Sequence, residues 1–117
     1  MAQYTIYHNP RCSKSRQTLA LLEENNIQPN IVLYLETPPN QQTLMELLKK
    51  LGKTPRDILR KSEDAYKEKG LSDSSLSDAQ LIQAMVDEPK LIERPIVVRG
   101  KQAVLGRPPE NVLELIA

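Results

Sequence analysis

The sequence predicts an α/β fold built around a mixed, four-stranded sheet. A strand–helix–strand pattern opens the chain, helical patterns fill its middle, and two strand patterns with a last helical pattern close it. The length of 117 residues is enough for one domain to bury a core without disulfides or a metal. We therefore expect residues 1–117 to form a single domain.

The first part of the chain predicts a parallel strand pair joined by a helix. Residues 3–8, QYTIYH, alternate and are rich in Tyr, Thr and Ile, as strands are. Asn9-Pro10 ends this strand, and residues 13–26 read as a helix. Residues 30–35, NIVLYL, form a continuous apolar run, which is typical of a strand covered on both faces. We expect a βαβ unit with a right-handed crossover.

The middle of the chain, about residues 40–90, reads as an all-helical insertion. One helix is predicted by leucines at i, i+3, i+4 and i+7, namely Leu44, Leu47, Leu48 and Leu51. Thr54-Pro55 supplies the N-cap and first position of a short helix. Residues 62–75 are polar and predicted to be irregular, and the segment Ser77–Gln80 resembles a capping box before a helix that stops at Glu88-Pro89.

The last part predicts a hairpin and a helix. Residues 95–98 and 102–105 flank Arg99-Gly100-Lys101, as in a β-hairpin. Residues 106–109 then turn the chain into a helix over residues 110–117. The order βαβ, helical insertion, ββα describes a thioredoxin-like fold that is enlarged between its two halves.

Charge and cysteine content narrow the functional classes. The chain has 16 basic and 15 acidic residues, which gives no reason to expect a nucleic-acid or membrane partner. No apolar run approaches the roughly 20 residues of a membrane span, and no signal peptide is visible. One cysteine forms neither an internal disulfide nor a zinc site, which needs about four ligands. We expect no metal and a location in the reducing cytoplasm.

The single cysteine, Cys12, lies where the first strand gives way to the first helix. Free backbone N–H groups and the positive end of the helix dipole favour a thiolate there. Arg11, Lys14 and Arg16 are close in sequence, and His8 is the only histidine. The alternative is a buried structural cysteine, the usual fate of a free thiol. The polar neighbours favour a reactive nucleophile.

The residues around Cys12 limit its chemistry. The segment reads C-x-x-S, with Ser15 where a resolving cysteine would be, so an oxidised Cys12 needs an external thiol. Thr18 stands where a tyrosine-phosphatase-type loop requires Arg, which excludes that loop. Ser15 either hydrogen bonds the thiolate or is an ordinary first-turn serine. His8 either donates to Cys12 or simply ends the strand.

Three arginines elsewhere in the chain are candidates for binding an oxyanion: Arg60, Arg94 and Arg107. Each by itself could equally be a solvated surface residue. Arg94 is the most informative, because the fold places the start of the third strand beside the first helix. Pro95 is then the candidate for the cis-proline that faces the thiol in thioredoxin-like folds; the sequence leaves its isomer open.

Four separated segments, NPRCSKSRQTL, ILRKSE, IERPIVV and VLGRPPE, together resemble the glutaredoxin-coupled arsenate reductases. The resemblance implies that Cys12 is the nucleophile, that the three arginines bind arsenate, and that His8 and Ser15 tune the thiolate. It also implies glutathione as co-substrate, glutaredoxin as partner and no bound cofactor.

Two other functions stay open for a chain with these segments. One is a general glutathione-dependent thiol reductase, which would share Cys12 and Arg94; Arg60 and Arg107 favour arsenate, because a disulfide substrate needs no oxyanion site. The other is a regulator that binds RNA polymerase. Ser15 disfavours that branch, which uses a C-x-x-C switch.

Overall fold

The computed structural model describes residues 3–116. The chain divides into two compact units, one formed by residues 1–37 with 94–117 and the other by residues 38–93. The first unit holds a four-stranded sheet with helices, which confirms the predicted mixed α/β architecture. The expectation of a single domain over residues 1–117 stays a prediction.

The sheet of the first unit has the strand order β2-β1-β3-β4. Its strands are β1 (Tyr4–Tyr7), β2 (Asn30–Val32), β3 (Ile96–Arg99) and β4 (Gln102–Leu105). Strand β1 runs parallel to β2 and antiparallel to β3, and β4 runs antiparallel to β3. This arrangement confirms the parallel pair and the hairpin.

The termini of all four strands lie together at one end of this sheet. Tyr7 pairs with Val32 on one side and with Ile96 on the other, and Ile96 pairs with Leu105. The ends of β1, β2 and β4 and the beginning of β3 therefore lie together. The segments that follow β1 and β4 and the segment that precedes β3 meet at this end of the sheet.

Helix α1 (Ser13–Glu24) connects β1 to β2 and packs its apolar face on the core of the first unit. That core consists of Ile6, Leu22, Val97, Val112 and Leu115, each at most 4% exposed. The helix ends two residues before the predicted end. Asn26 adopts a left-handed conformation with φ of 63°, which stops the helical ladder.

The expectation for the second strand was wrong in length and in burial. Strand β2 ends at Val32, and the chain turns over residues 34–36. Ile31 is 51% exposed, so the face of β2 that carries it is not fully covered. An apolar run predicts burial on both faces only where other elements cover both faces of the sheet.

The second unit is helical. It contains α2 (Gln41–Leu51), α3 (Asp64–Glu68) and α4 (Asp78–Asp87), with 3₁₀ turns at Pro55–Ile58 and Pro89–Leu91. Its buried side chains include the predicted leucines Leu44, Leu47 and Leu48 and the residues Leu81, Ile82 and Met85.

Local capping explains where these helices begin. Asn40 and Ser77 accept hydrogen bonds from Thr43 and Gln80 N–H groups, and the capping box at Ser77 confirms the prediction made for it. The expectation that residues 62–75 are irregular was wrong in part. Helix α3 forms there because DAYKE lacks Gly and Pro and contains good helix formers.

The chain returns to the first unit at β3. Gly100 opens the two-residue turn of the β3–β4 hairpin with a φ of 59°. After β4, a 3₁₀ turn over Pro109–Val112 leads into α5 (Leu113–Ile116). The predicted last helix is therefore tighter at its start; its final residue, Ala117, lies outside the described residues. Within residues 3–116, no helix is long and apolar enough to cross a membrane.

Candidate active site

Cys12 is the N-cap residue of α1 and is partly buried. Its backbone is extended, with φ of −95° and ψ of 122°, and its carbonyl oxygen accepts the first helical hydrogen bond from the Arg16 N–H at 3.0 Å. The Cys12 N–H donates to the carbonyl oxygen of Asn9 at 3.0 Å. The loop after β1 thus holds the thiol at the positive end of the helix.

The pKa of Cys12 is lowered from its ordinary value. Burial raises it, but this effect is outweighed by the backbone N–H of Ser15, by the charge and side-chain hydrogen bond of Arg94, and by the backbone N–H of Lys14. All of these partners stabilise negative charge on the sulfur. The site therefore favours the nucleophilic thiolate.

The cation that acts on the thiol is not one of its sequence neighbours. We expected Arg11, Lys14 and Arg16 to supply positive charge, but Lys14 acts through its backbone N–H. The Nη1 group of Arg16 donates to the carbonyl oxygen of Pro10 at 2.9 Å. Proximity along the chain therefore did not predict which cation acts on the sulfur.

Arg94 reaches Cys12 because β3 lies next to β1. The Nε and Nη1 atoms of Arg94 are buried. The Arg94-Pro95 peptide bond, whose isomer the sequence left open, is cis, and Pro95 is buried directly before β3, one residue earlier than the strand begins. The Nη1 group of Arg107 donates to the carbonyl oxygen of Arg94 at 3.4 Å. Arg107 itself is exposed.

Thr18 and Gly106 join α1 to the segments that carry these arginines. The Gly106 N–H donates to the carbonyl oxygen of Pro95 at 2.9 Å. The Thr18 hydroxyl donates to the carbonyl oxygen of Lys14 at 2.8 Å and also lies 3.4 Å from the carbonyl oxygen of Gly106. A Cβ on Gly106 would lie 2.8 Å from Pro95 Cγ and 3.0 Å from Thr18 Cγ2. Only glycine fits this contact, which holds Pro95 and residue 107 against the helix that Cys12 caps.

His8, directly after β1, and Ser15, in the first turn of α1, form a buried pair. His8 Nδ1 lies 2.6 Å from Ser15 Oγ, and Ser15 Oγ accepts a hydrogen bond from the Asn9 N–H at 3.0 Å. Burial, followed by the nearby positive charge of Arg16, lowers the pKa of His8, so its ring is neutral at pH 7. His8 thus contacts Ser15, and Ser15 binds the Asn9 N–H in the loop that leads to Cys12.

Arg60 belongs to the second unit. Its backbone N–H donates to the carbonyl oxygen of Leu91 at 2.8 Å, and its Nε lies 3.8 Å from Glu93 Oε1. The other predicted site residues all belong to the first unit. The oxyanion-binding role of Arg60 stays a prediction.

Sequence reasoning did not identify Gly106 or assign a structural role to Thr18. Gly106 follows a predicted strand and precedes Arg107, a position where a glycine signals close backbone approach. Thr18 lies one turn beyond Lys14, whose carbonyl oxygen also accepts its hydroxyl. Across residues 3–116, no cluster of three or more His, Cys, Asp or Glu residues is arranged to hold a metal ion.

The assembled site can bind an anion and attack it. A thiolate at a helix N-terminus, with a guanidinium from the segment that precedes β3, offers a nucleophile and a cationic donor at the same place. Such an arrangement suits a tetrahedral oxyanion better than a neutral substrate.

Comparison with known proteins supports this interpretation. A family model described as the ArsC family matches residues 7–115. The protein named "Uncharacterized protein YfgD" of Escherichia coli K12 is 62% identical over 115 residues, which are 97% of each chain. The arsenate reductase of Haemophilus influenzae is 49% identical over 112 residues, covering 95% of this chain and 97% of its own.

A solved structure gives the same result for the fold. The structure called arsenate reductase from Vibrio cholerae is 54% identical, covers 97% of both chains and has a TM-score of 0.94. The predicted thioredoxin-like fold and the predicted family are both confirmed. With a family match that spans residues 7–115 and relatives about half identical along nearly their whole length, the chain belongs to the ArsC family.

Proposed function

We propose that this protein is an arsenate reductase in which Cys12 is the nucleophile and glutathione and glutaredoxin supply the electrons. The observation that carries the proposal is the position of Cys12 at the start of α1 with Arg94 acting on its sulfur, an arrangement that lowers the pKa of the thiol. The relatives from Haemophilus influenzae and Vibrio cholerae carry the name arsenate reductase. The single free thiol suits the reducing cytoplasm.

Arg94 and Arg107 bind arsenate, and the part that the family resemblance implies for Arg60 stays a prediction. Guanidinium groups match the geometry of tetrahedral oxyanions, and fixed positive charge stabilises the charge that builds up on oxygen during attack. Arg94 is the inner member of the set, since its Nε and Nη1 atoms are buried, whereas Arg107 is exposed.

The reaction begins when the Cys12 thiolate attacks arsenic. A sulfur–arsenic bond forms, an arsenic–oxygen bond breaks, and the oxygen leaves as water after protonation. Arsenic stays in the +5 state. Glutathione then replaces a second oxygen in the same way, which leaves arsenic bonded to both sulfurs.

Reduction to the +3 state takes two electrons, and a disulfide formed from two thiols releases two. A glutaredoxin thiolate attacks the glutathione sulfur, and the electron pair of the broken sulfur–arsenic bond stays on arsenic. The products are a glutaredoxin–glutathione mixed disulfide and arsenic(III) on Cys12. Water then releases arsenite and restores the thiolate. Because Ser15 stands where a C-x-x-C motif has its second cysteine, the external thiols are required.

A coupled assay tests this function. Arsenate-dependent oxidation of NADPH is measured with glutathione, glutaredoxin and glutathione reductase. We expect turnover by the native chain and none by Cys12→Ser. Absence of turnover with active coupling enzymes would reject the proposal. Glutathione-dependent reduction of a disulfide substrate in its place would favour the general thiol reductase, and capture of RNA polymerase would favour the regulator.

A further inference from the structure

A cavity of about 290 Å³ lies at the same end of the sheet as Cys12. Its walls are the loop His8–Arg11, which leads directly into Cys12, and the residues Leu33, Leu35 and Glu36, which follow β2. None of the three predicted oxyanion-binding arginines lines it. The cavity therefore adjoins the loop that leads to Cys12, and the proposed reaction so far assigns it no role.

The strand order separates this cavity from the arginines. Strand β2 flanks β1 on one side and β3 flanks it on the other. The cavity lies on the β2 side, whereas Arg94 and Arg107 adjoin β3 and β4. Cys12 follows β1 and thus lies between two different binding surfaces, one cationic and one mixed.

The walls of the cavity combine apolar surface with two opposite charges. Leu33, Leu35 and Pro10 supply the apolar part, and Arg11 and Glu36 supply a cation and an anion. Arg11 and Glu36 are both exposed, so a molecule that enters from solvent can reach them. This pattern complements a small amphipathic molecule that carries both a carboxylate and an ammonium group.

The reaction requires such a molecule. Cys12 is the only cysteine, so the thiol that resolves its adduct must come from solution. We propose that the cavity between the His8–Arg11 loop and the Leu33–Glu36 segment binds the peptide part of a small zwitterionic thiol. The thiol then approaches Cys12 from the β2 side while the oxyanion is held from the β3 side. This inference rests on the proposed function and names the site of its co-substrate.

The dimensions agree with this assignment. An extended tripeptide spans about 10 Å, at roughly 3.3–3.6 Å per residue. Arg11 and Cys12 are consecutive, with α-carbons about 3.8 Å apart. A tripeptide seated in the cavity can therefore place its thiol at Cys12, and a volume of about 290 Å³ is at the lower end of small-molecule sites.

Charge reversal at Glu36 tests the assignment, with glutathione as the reducing thiol. Glu36→Lys removes the partner of the ammonium group and places a like charge there. We expect the KM for glutathione to rise about fivefold at saturating arsenate, as for a partly exposed ion pair, with the KM for arsenate unchanged. Glu24→Lys makes the same charge change on an exposed residue at the end of α1 and is expected to leave both values unchanged.

A binding measurement separates this inference from the proposed function. S-methylglutathione, which has no free thiol, is titrated into the native protein while backbone amide resonances are followed by NMR. We expect the Leu35 and Glu36 amides to shift, and the affinity to fall in Glu36→Lys. If arsenate is not turned over but these shifts occur, the proposed function fails and the thiol site stands. If arsenate is turned over and Glu36→Lys matches Glu24→Lys in the KM for glutathione, the thiol site is overturned.

Discussion

Arg94 acts on the sulfur of Cys12 through its charge and through a side-chain hydrogen bond, although the two residues belong to opposite halves of the sequence. They meet because Tyr7, at the end of β1, pairs with Ile96, at the start of β3. The segment that follows β1 and the segment that precedes β3 thus lie at the same end of the sheet. This strand pairing assembles the candidate site from segments separated by the whole helical unit.

Removal of the Arg94 guanidinium is expected to impair both the thiolate and the oxyanion site. In Arg94→Ala, the pKa of Cys12 rises, because two of the contacts that lower it are lost. The kcat/KM for arsenate is expected to fall about 100-fold, as for the loss of one preorganised donor. Steady-state kinetics and the pH dependence of Cys12 alkylation measure the two effects.

Lys14→Ala is the matched control for Arg94→Ala. It removes a cation two residues from Cys12 but keeps the backbone N–H that acts on the sulfur. We expect its alkylation profile to follow the native one. An equal shift in both variants would mean that general positive charge, rather than the Arg94 contact, sets the pKa of Cys12.

Loss of the Ser15 hydroxyl is expected to destabilise the protein. Ser15 is fully buried, and its Oγ serves both the His8 ring and the Asn9 N–H. Ser15→Ala leaves these buried polar groups unsatisfied, at a cost of about 1–3 kcal/mol in the free energy of unfolding measured in urea. Ser13→Ala changes an exposed serine of the same helix turn and is expected to stay within about 0.5 kcal/mol of the native value. Equal stabilities would show that the Ser15 contacts contribute nothing.

His8 is expected to make the folded protein less stable as the pH falls. Its pKa in the folded protein is lowered by burial and by Arg16, so the unfolded chain binds its proton more readily. The stabilisation is therefore complete above the unfolded pKa of about 6.5 and is lost as pH falls through the folded value, with a slope of at most about 1.4 kcal/mol per pH unit. Urea unfolding between about pH 5 and 7.5, where most carboxylates stay ionised, measures this slope. His8→Gln should reduce it; a native slope of zero would contradict the buried, neutral state of His8.

Gly106→Ala is expected to disturb the site through packing. The added methyl group would lie 2.8 Å from Pro95 Cγ and would also meet Thr18, so Pro95 or α1 must shift. Overpacking of this kind costs about 1–3 kcal/mol, and displacement of Arg94 raises the pKa of Cys12. Both quantities are measured by urea unfolding and by alkylation.

Thr18→Ala in the Gly106→Ala background tests whether this contact is the cause. It removes the two Thr18 atoms that the new methyl group would meet. We expect the double variant to recover part of the Cys12 pKa shift, which a double-mutant cycle reports as coupling between the two positions. Additive effects on the pKa would mean that the two residues do not act through each other.

The sequence was most informative where local chemistry decides the structure. The alternation in QYTIYH predicted β1, the capping box predicted the start of α4, and the Gly100 turn predicted the hairpin. Cys12 was predicted to lie at a helix start because a strand pattern, Asn9-Pro10 and a helix pattern follow one another.

The sequence was least informative where distant segments meet. The exposure of Ile31 depends on which faces of the sheet other elements cover, and an apolar run does not encode this. The cation that acts on Cys12 is Arg94 rather than one of its neighbours in the chain, because the pairing of β1 with β3 brings the two segments together. The tight contact of Gly106 with Thr18 and Pro95 joins three segments, and none of them shows it alone.

The proposed chemistry requires Cys12 to be a thiolate that the start of α1 and Arg94 stabilise. The direct measurement is the rate of Cys12 alkylation by iodoacetamide as a function of pH, in the native protein and in Arg94→Ala, with free cysteine in the same buffers. We expect the native inflection to lie below that of free cysteine and to shift upward in Arg94→Ala. A native inflection at or above that of free cysteine would show that the site does not stabilise the thiolate.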